Sequence, residues 1–99
     1  MARPRKCRMV YAKPDVTYFK PRAIPLRELK EVDLTVEELE ALRLSYLEQM
    51  DQKSVGKDMG ISQPTLHRLL RSANKKLADA LVNGKAIKIH GGDYKIKKR

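Results

Sequence analysis

The sequence has one cysteine, no tryptophan, one phenylalanine and four tyrosines. The lone Cys7 forbids an intrachain disulfide and leaves a zinc site without its usual thiolates. It stands among Arg5, Lys6 and Arg8, and the plain reading is an inert small side chain. The aromatics are Tyr11, Tyr18, Phe19, Tyr46 and Tyr94, and Tyr46 is expected to be buried in a helix stripe. That is poor material for the stacking platform that single-stranded nucleic acids require. Apolar runs are only a few residues long, so no segment is expected to span a membrane. The start, Met-Ala-Arg-Pro-Arg-Lys, carries charge with no apolar stretch behind it, which argues against a secretory signal. A cytoplasmic location is the expectation. His67 and His90 have no supporting ligand cluster, so neither metal nor cofactor is expected. No convergent catalytic set appears either, so an enzyme is not expected.

What the sequence does have is positive charge. Its 99 residues suit one modest domain with tails, and the net charge is +10. The distribution is uneven. Residues 1–34 carry nine basic and four acidic groups, and residues 35–50 carry one and four. Residues 51–84 carry six and three, and residues 85–99 carry six and one. An acidic segment thus lies between basic ones, and a polyanion is the natural partner. The basic tails lack the large apolar residues of a membrane-bound helix, so no membrane partner is expected.

Pro14, Pro21 and Pro25 forbid a long helix before residue 34. Met9-Val10-Tyr11 and Val16–Phe19 have strand character, and Leu26–Glu31 suits a helical turn. Residues 1–33 therefore read as a basic N-terminal arm with short strand or turn elements. A first helix is predicted over about 35–49. Thr35 and Glu38 have capping-box spacing, with Leu34 and Leu39 at the staple positions. Leu39, Leu42, Tyr46 and Leu47 would form its apolar stripe. Glu37, Glu38, Glu40 and Glu48 would lie in the first turn and on the polar side, explained by the helix dipole rather than catalysis. A second helix is predicted at about 52–59 with Asp51 as cap, ended by Gly60. A third runs from Ser62 to the Asn83-Gly84 stop, with Pro64 in its first turn. Its apolar positions are Leu66, Leu69, Leu70, Ala73, Leu77, Ala80 and Leu81. Lys85–His90 alternates like a strand and Tyr94–Ile96 looks like a return strand, so residues 85–99 read as a short β-hairpin and basic tail.

The second and third helices have the pattern of a helix-turn-helix, which would make 34–84 a DNA-binding domain. Two helices crossing closely need a small residue at the crossing, here Gly56, and a turn residue tolerant of positive φ, here Gly60. Val55, Met59, Ile61, Leu66 and Leu69 supply apolar pins. The third helix would then enter the major groove. Gln63, Thr65, His67, Arg68, Arg71, Ser72 and Lys75 would face outward. Gln suits adenine, Arg guanine, and Thr a thymine methyl. Lys53, Lys75 and Lys76 suit phosphates, as do the amides near Ser62 and Gln63. The plain alternative is an ordinary solvated helix. Arg3 and Arg5 admit two readings: an arm in the minor groove, or a solvated tail with generic phosphate attraction.

The stretch Leu34-Thr35-Val36-Glu37-Glu38-Leu39-Glu40-Ala41-Leu42-Arg43-Leu44 resembles the first helix of sigma-factor region 4 domains. Gly56…Gly60-Ile61-Ser62-Gln63-Pro64-Thr65-Leu66 and the helix to Leu81 resemble that domain's reader. The whole chain is similar to a family of small, uncharacterised prokaryotic proteins predicted to bind DNA. The matching stretches are Arg3-Pro4-Arg5-Lys6-Cys7-Arg8, Ile24–Leu29, Leu39–Leu44 and Ala78–Ala86. The resemblance implies a predicted transcriptional regulator.

The expected fold is mainly α. It is a three-helix, sigma region 4-like or winged-helix-like, helix-turn-helix core with short flanking β-strands. The expected function is sequence-specific binding of double-stranded DNA, by a homodimer whose Lys85–Ile96 strands pair with the N-terminal strands or with a second chain. The alternatives are a module contacting the transcription machinery through an acidic first helix, and RNA binding.

Overall fold

A computed structural model of the chain describes residues 7–92 and 94–96. Two short sheets and three helices share one body. Strand β1 is Arg8–Val10, β2 is Tyr18–Phe19 and β3 is Glu31–Leu34, with a 3-10 turn at Leu26–Glu28 before β3. Helix α1 is Val36–Leu42, continued by a π-helical turn at Arg43–Leu47. Helices α2, Gln52–Met59, and α3, Gln63–Asn83, come next, and β4, Ala86–Ile89, and β5, Tyr94–Ile96, close the chain.

The helix ends are set by local chemistry. The Thr35 hydroxyl accepts the Glu38 amide at 3.1 Å, and the Glu38 carboxylate accepts the Thr35 amide at 2.9 Å. That satisfies two donors that a helix start would otherwise leave orphaned. Leu34 and Leu39, at the staple positions, pack in one cluster. Asp51 caps α2 through the Ser54 amide at 2.8 Å, and Ser62 caps α3 through the Thr65 amide at 3.3 Å.

The first helix departs from expectation. Its α-helical part stops at Leu42, and the Glu48 amide reaches back to the Arg43 carbonyl at 2.9 Å. One extra residue in that turn rotates the next side chains around the axis. Ala41 and Leu44 point inward, while Tyr46 and Leu47, expected in the apolar stripe, are exposed. The segment ends with Gln49 at a φ of 55°.

The C-terminal strands do not form the expected hairpin with each other; they pair with the N-terminal strands, one of the two pairings that the sequence leaves open. β4 lies between β2, antiparallel, and β3, parallel, with Glu31 opposite Ala86 and Leu34 opposite Ile89. β5 pairs with β1 in a separate parallel sheet. A parallel pair needs a long crossover, and between β3 and β4 that crossover is the entire helical segment. β1 and β2 fall where the sequence has strand character, at Met9–Tyr11 and Val16–Phe19, and together with β3 they pack into the body, with Val10 fully buried.

Two apolar clusters meet along α3. Ala41, Leu44, Val55, Met59, Leu66 and Leu70 join the helices. Val10, Leu34, Val36, Ala73 and Ile89 join α1 and α3 to the strands. Leu42 packs against both. Of the apolar positions expected along α3, Leu81 is the exception, being exposed.

The turn between α2 and α3 rests on two glycines. Gly60 ends α2 at φ 68°, in the left-handed region that β-carbon sterics penalise. Gly56 is buried, and the Ile61 amide donates to its carbonyl at 2.9 Å. A Cβ on Gly56 would stand 2.9 Å from the Ile61 carbonyl oxygen, a backbone atom that cannot swing aside. Gly56→Ala would gain helix propensity of up to about 1 kcal/mol, yet a forced backbone shift costs about 1–3 kcal/mol. Urea unfolding is therefore expected to show net destabilisation of up to about 2 kcal/mol. A stabilised Gly56→Ala variant would contradict this close approach.

Candidate nucleic-acid interface

α3 exposes a continuous basic ridge. At 100° per residue, Arg68, Arg71 and Lys75 fall within about 60° of one another around the helix axis. All three are exposed, as are Gln63 and His67. No acidic residue occurs from Gln63 to Ala78. The ridge thus carries an excess of positive charge, with Asp79, one turn beyond Lys75, as the first acid on its own helix, the arrangement a polyanion would favour.

Local hydrogen bonds hold the start of the ridge. Ser62 is exposed and Thr65 is half-buried. The Ser62 hydroxyl donates to Thr65 Oγ1 at 3.0 Å, and the Arg68 guanidinium donates to the same oxygen at 3.3 Å. Ser62 and Thr65 therefore spend part of their capacity on capping and on orienting Arg68. On one flank, His67 and Arg71 border a shallow hollow with Tyr46, Gln52 and Asn74. There the Asn74 amide donates to the Tyr46 hydroxyl at 3.2 Å.

On the other flank lies an open groove of about 450 Å³, where Thr65, Arg68 and Ser72 face Arg8, Glu37 and Glu38. The three glutamates at the start of α1 are buried, at 2%, 3% and 6% exposure for Glu37, Glu38 and Glu40. This corrects the expectation that they line a polar side. Taking a carboxylate out of water costs several kcal/mol unless a cation and hydrogen bonds compensate. Each has such partners. Glu37 meets Arg8 at 3.0 Å, and Glu38 meets Lys76 at 2.6 Å. Glu40 meets Arg43 at 2.7 Å and accepts the Tyr11 amide at 2.8 Å. Arg43 also lies over the Tyr11 ring, 5.9 Å from its centroid.

The expected site residues divide accordingly. Ser62, Gln63, Thr65, His67, Arg68, Arg71 and Lys75 come together on one side of α3. Lys53 is exposed on α2. Arg3 and Arg5 lie outside the described residues. Lys76, read from the sequence as a phosphate ligand, is bound to Glu38. Arg8 and Tyr46 are unexpected neighbours of α3. Both are remote from it in sequence, and only the packing of β1 and the π-helical turn brings them there. Cys7 is exposed. Among the described residues no three His, Cys, Asp or Glu side chains converge as a metal site, and no helix is long and apolar enough to cross a membrane.

Similarity to known proteins runs the length of the chain. A family model described as a protein of unknown function, DUF134, matches residues 1–97. A UPF0251 protein of Caldanaerobacter subterraneus subsp. tengcongensis is 56% identical over 96 residues, covering 97% of this chain and 81% of the relative. One from Thermoanaerobacter pseudethanolicus is 53% identical with the same coverage. One from Moorella thermoacetica is 58% identical over 94 residues, covering 95% of this chain and 63% of the relative. The chain belongs to this DUF134, or UPF0251, family of prokaryotic proteins. No solved structure matches it significantly.

Glu38 ties the cap of α1 to α3, and acid should loosen that tie. Burial pushes its carboxyl up, but the Lys76 ammonium, the Ser72 hydroxyl and the Thr35 amide outweigh burial and hold it below the ordinary glutamate value. A carboxyl lowered in the folded state contributes its full stability above the unfolded value, and loses it as pH falls through the folded one. Unfolding midpoints measured from about pH 6 to about pH 3 should fall less steeply in Glu38→Gln than in the parent. Parallel curves for the two proteins would contradict the assignment.

Proposed function

We propose that this protein binds double-stranded DNA sequence-specifically, with α3 in the major groove, and acts as a transcriptional regulator. The observation that carries the reading is the exposed Arg68-Arg71-Lys75 ridge on the second of two helices joined by the tight Gly60–Ser62 turn. It supports the reading because a helix-turn-helix reader presents side chains of its second helix to base edges. Gln63, His67, Arg68 and Arg71 are the candidates for base contact, and Lys75 and Lys53 for phosphates. The Gly56–Ile61 approach supports the reading because it holds α2 against the start of α3 without a side chain between them.

The competing reading, a module docking on the transcription machinery through an acidic α1, loses much of its surface. Glu37, Glu38 and Glu40 are buried against cations, and of the four only Glu48 is exposed. RNA remains the alternative ligand by charge alone, and competition between duplex DNA and duplex RNA separates the two.

Duplex binding should be strongly salt-dependent. With about six phosphate contacts, log affinity falls against log salt with a slope near −5. Arg68→Glu with Arg71→Glu should weaken binding at least about 100-fold, since each base-reading arginine is worth about 1–3 kcal/mol and reversal adds repulsion. Both side chains are exposed, so the unfolding midpoint should stay within experimental error. A flat salt dependence, or a double variant that binds like the parent, would sink the proposal.

A further inference from the structure

The exposed side of α3 has two flanks of different chemistry. At 100° per residue, Asn74, His67 and Arg71 span about 60° of the helix surface, on the side of the ridge away from Arg68. Tyr46 from the π-helical turn and Gln52 from the first turn of α2 stand beside them and complete the hollow. Each of these five side chains carries a hydrogen-bond donor, and Arg71 brings positive charge. No carboxylate of the described residues lines the hollow. The acids nearest to Tyr46 and Gln52 in sequence are engaged elsewhere. Glu48 meets Arg43 at 3.4 Å, and Asp51 accepts the Ser54 amide at 2.8 Å. The groove on the opposite flank differs, because its cations Arg8 and Lys76 meet Glu37 and Glu38.

We propose that this hollow is an oxyanion site, and that it takes one backbone phosphate of the bound duplex. The inference rests on the duplex-binding reading above and names where one strand is gripped. Two observations carry it. First, Tyr46 is 59% exposed, and its hydroxyl already accepts the Asn74 amide at 3.2 Å. A phenol has a single proton to donate. With Asn74 on its acceptor side, that proton is left for an acceptor from outside the chain, and Asn74 fixes where the oxygen stands. Second, the hollow lies where a strand must pass. A helix about 10–12 Å in diameter fills a major groove about 12 Å wide, so each flank of a seated helix faces one sugar-phosphate strand. The flank at Tyr46 is the one whose donors are not already matched with acids.

In this arrangement the Tyr46 hydroxyl, the Gln52 amide and the His67 ring donate to the phosphate oxygens. Arg71, on the border between hollow and ridge, supplies the opposite charge. His67 thereby moves from the base edges to the backbone, and Gln63, Arg68 and Arg71 remain to read bases. The π-helical turn also gains a use. Its one-residue register change takes Tyr46 out of the apolar stripe and sets it against the flank of α3. A phosphate contact fixes register without reading sequence, so the hydroxyl should matter equally on every duplex. Tyr46 should respond to duplex together with residues 62–75, never without them.

The test compares the full chain with Tyr46→Phe, which removes one exposed hydroxyl and keeps the ring and the charge. The parent selects a duplex from a random-sequence pool, and that duplex is remade with a neutral methylphosphonate at each phosphate in turn. Losing a hydrogen bond to a charged acceptor weakens binding about tenfold. Tyr46→Phe should show that loss on the selected duplex and on an unrelated one, with an unchanged unfolding midpoint. Neutralising one particular phosphate should cost the parent about tenfold and the variant about twofold or less, since the partner is already gone. A variant that binds like the parent, or equal losses in both proteins at every phosphate, would overturn the site. A loss confined to the selected duplex would also overturn it, by making Tyr46 a base reader. If neither protein binds any duplex, the DNA reading itself fails, and inorganic phosphate then tests the hollow alone. Saturable amide shifts at Gln52, His67 and Arg71 at millimolar phosphate, weaker in Tyr46→Phe, uphold an oxyanion site. No shifts there, or equal shifts in both proteins, overturn it.

Discussion

Three carboxylates at the start of α1 are buried, and the rest of the structure is arranged around keeping them charged. A buried carboxylate without a cation would cost several kcal/mol. Glu37 therefore draws in Arg8 from β1, Glu38 draws in Lys76 from α3, and Glu40 holds Arg43 and the backbone at Tyr11. These contacts join three elements that are distant in sequence. They also shape the surface, because a quarter of the acidic residues, three of 12, are spent inside. What remains outside along α3 is a basic ridge with no acid before Asp79.

The strands complete that arrangement. β3 leads into α1 and β4 leads out of α3, and the two lie side by side in parallel register. The helical segment is thus closed at its base by a ladder of backbone hydrogen bonds. Ala73 sits in the cluster that binds the strands, while Leu66 and Leu70, earlier on the same helix, sit in the cluster that binds α1 and α2. α3 is consequently held along its inner face for most of its 21 residues. A rigid helix with one face buried and the other basic is a suitable platform for groove reading, since contacts made from a fixed helix lose little conformational entropy.

Much of this is legible in the sequence where local chemistry decides. The Thr35, Asp51 and Ser62 caps, the Gly60 turn, the long third helix and the outward set from Gln63 to Lys75 can be read from spacing and residue type alone. The parts that escape sequence reading are decided by distant partners. Nothing in Glu37-Glu38-Leu39-Glu40 announces that these side chains turn inward, because two of the three cations that permit it, Arg8 and Lys76, are remote in sequence. The π-helical turn that exposes Tyr46 and Leu47 is a one-residue register change that a smooth helical period hides. The return strand at Tyr94–Ile96 looks like half of a hairpin, since adjacent strands usually pair. Its real neighbour is β1, at the other end of the chain. Lys76 is the position where both difficulties meet, reading as a phosphate ligand yet committed to Glu38.

Whether the exposed face of α3 meets duplex DNA is directly measurable. A short random-sequence duplex is titrated into isotopically labelled protein, and backbone amide shifts are followed by NMR. The largest shifts should cluster at residues 62–75, with smaller ones near Lys53, while α1 from Val36 to Leu42 stays largely unmoved. Shifts concentrated on α1 or on Tyr46 and Leu47, or no shifts at all, would contradict DNA reading by α3.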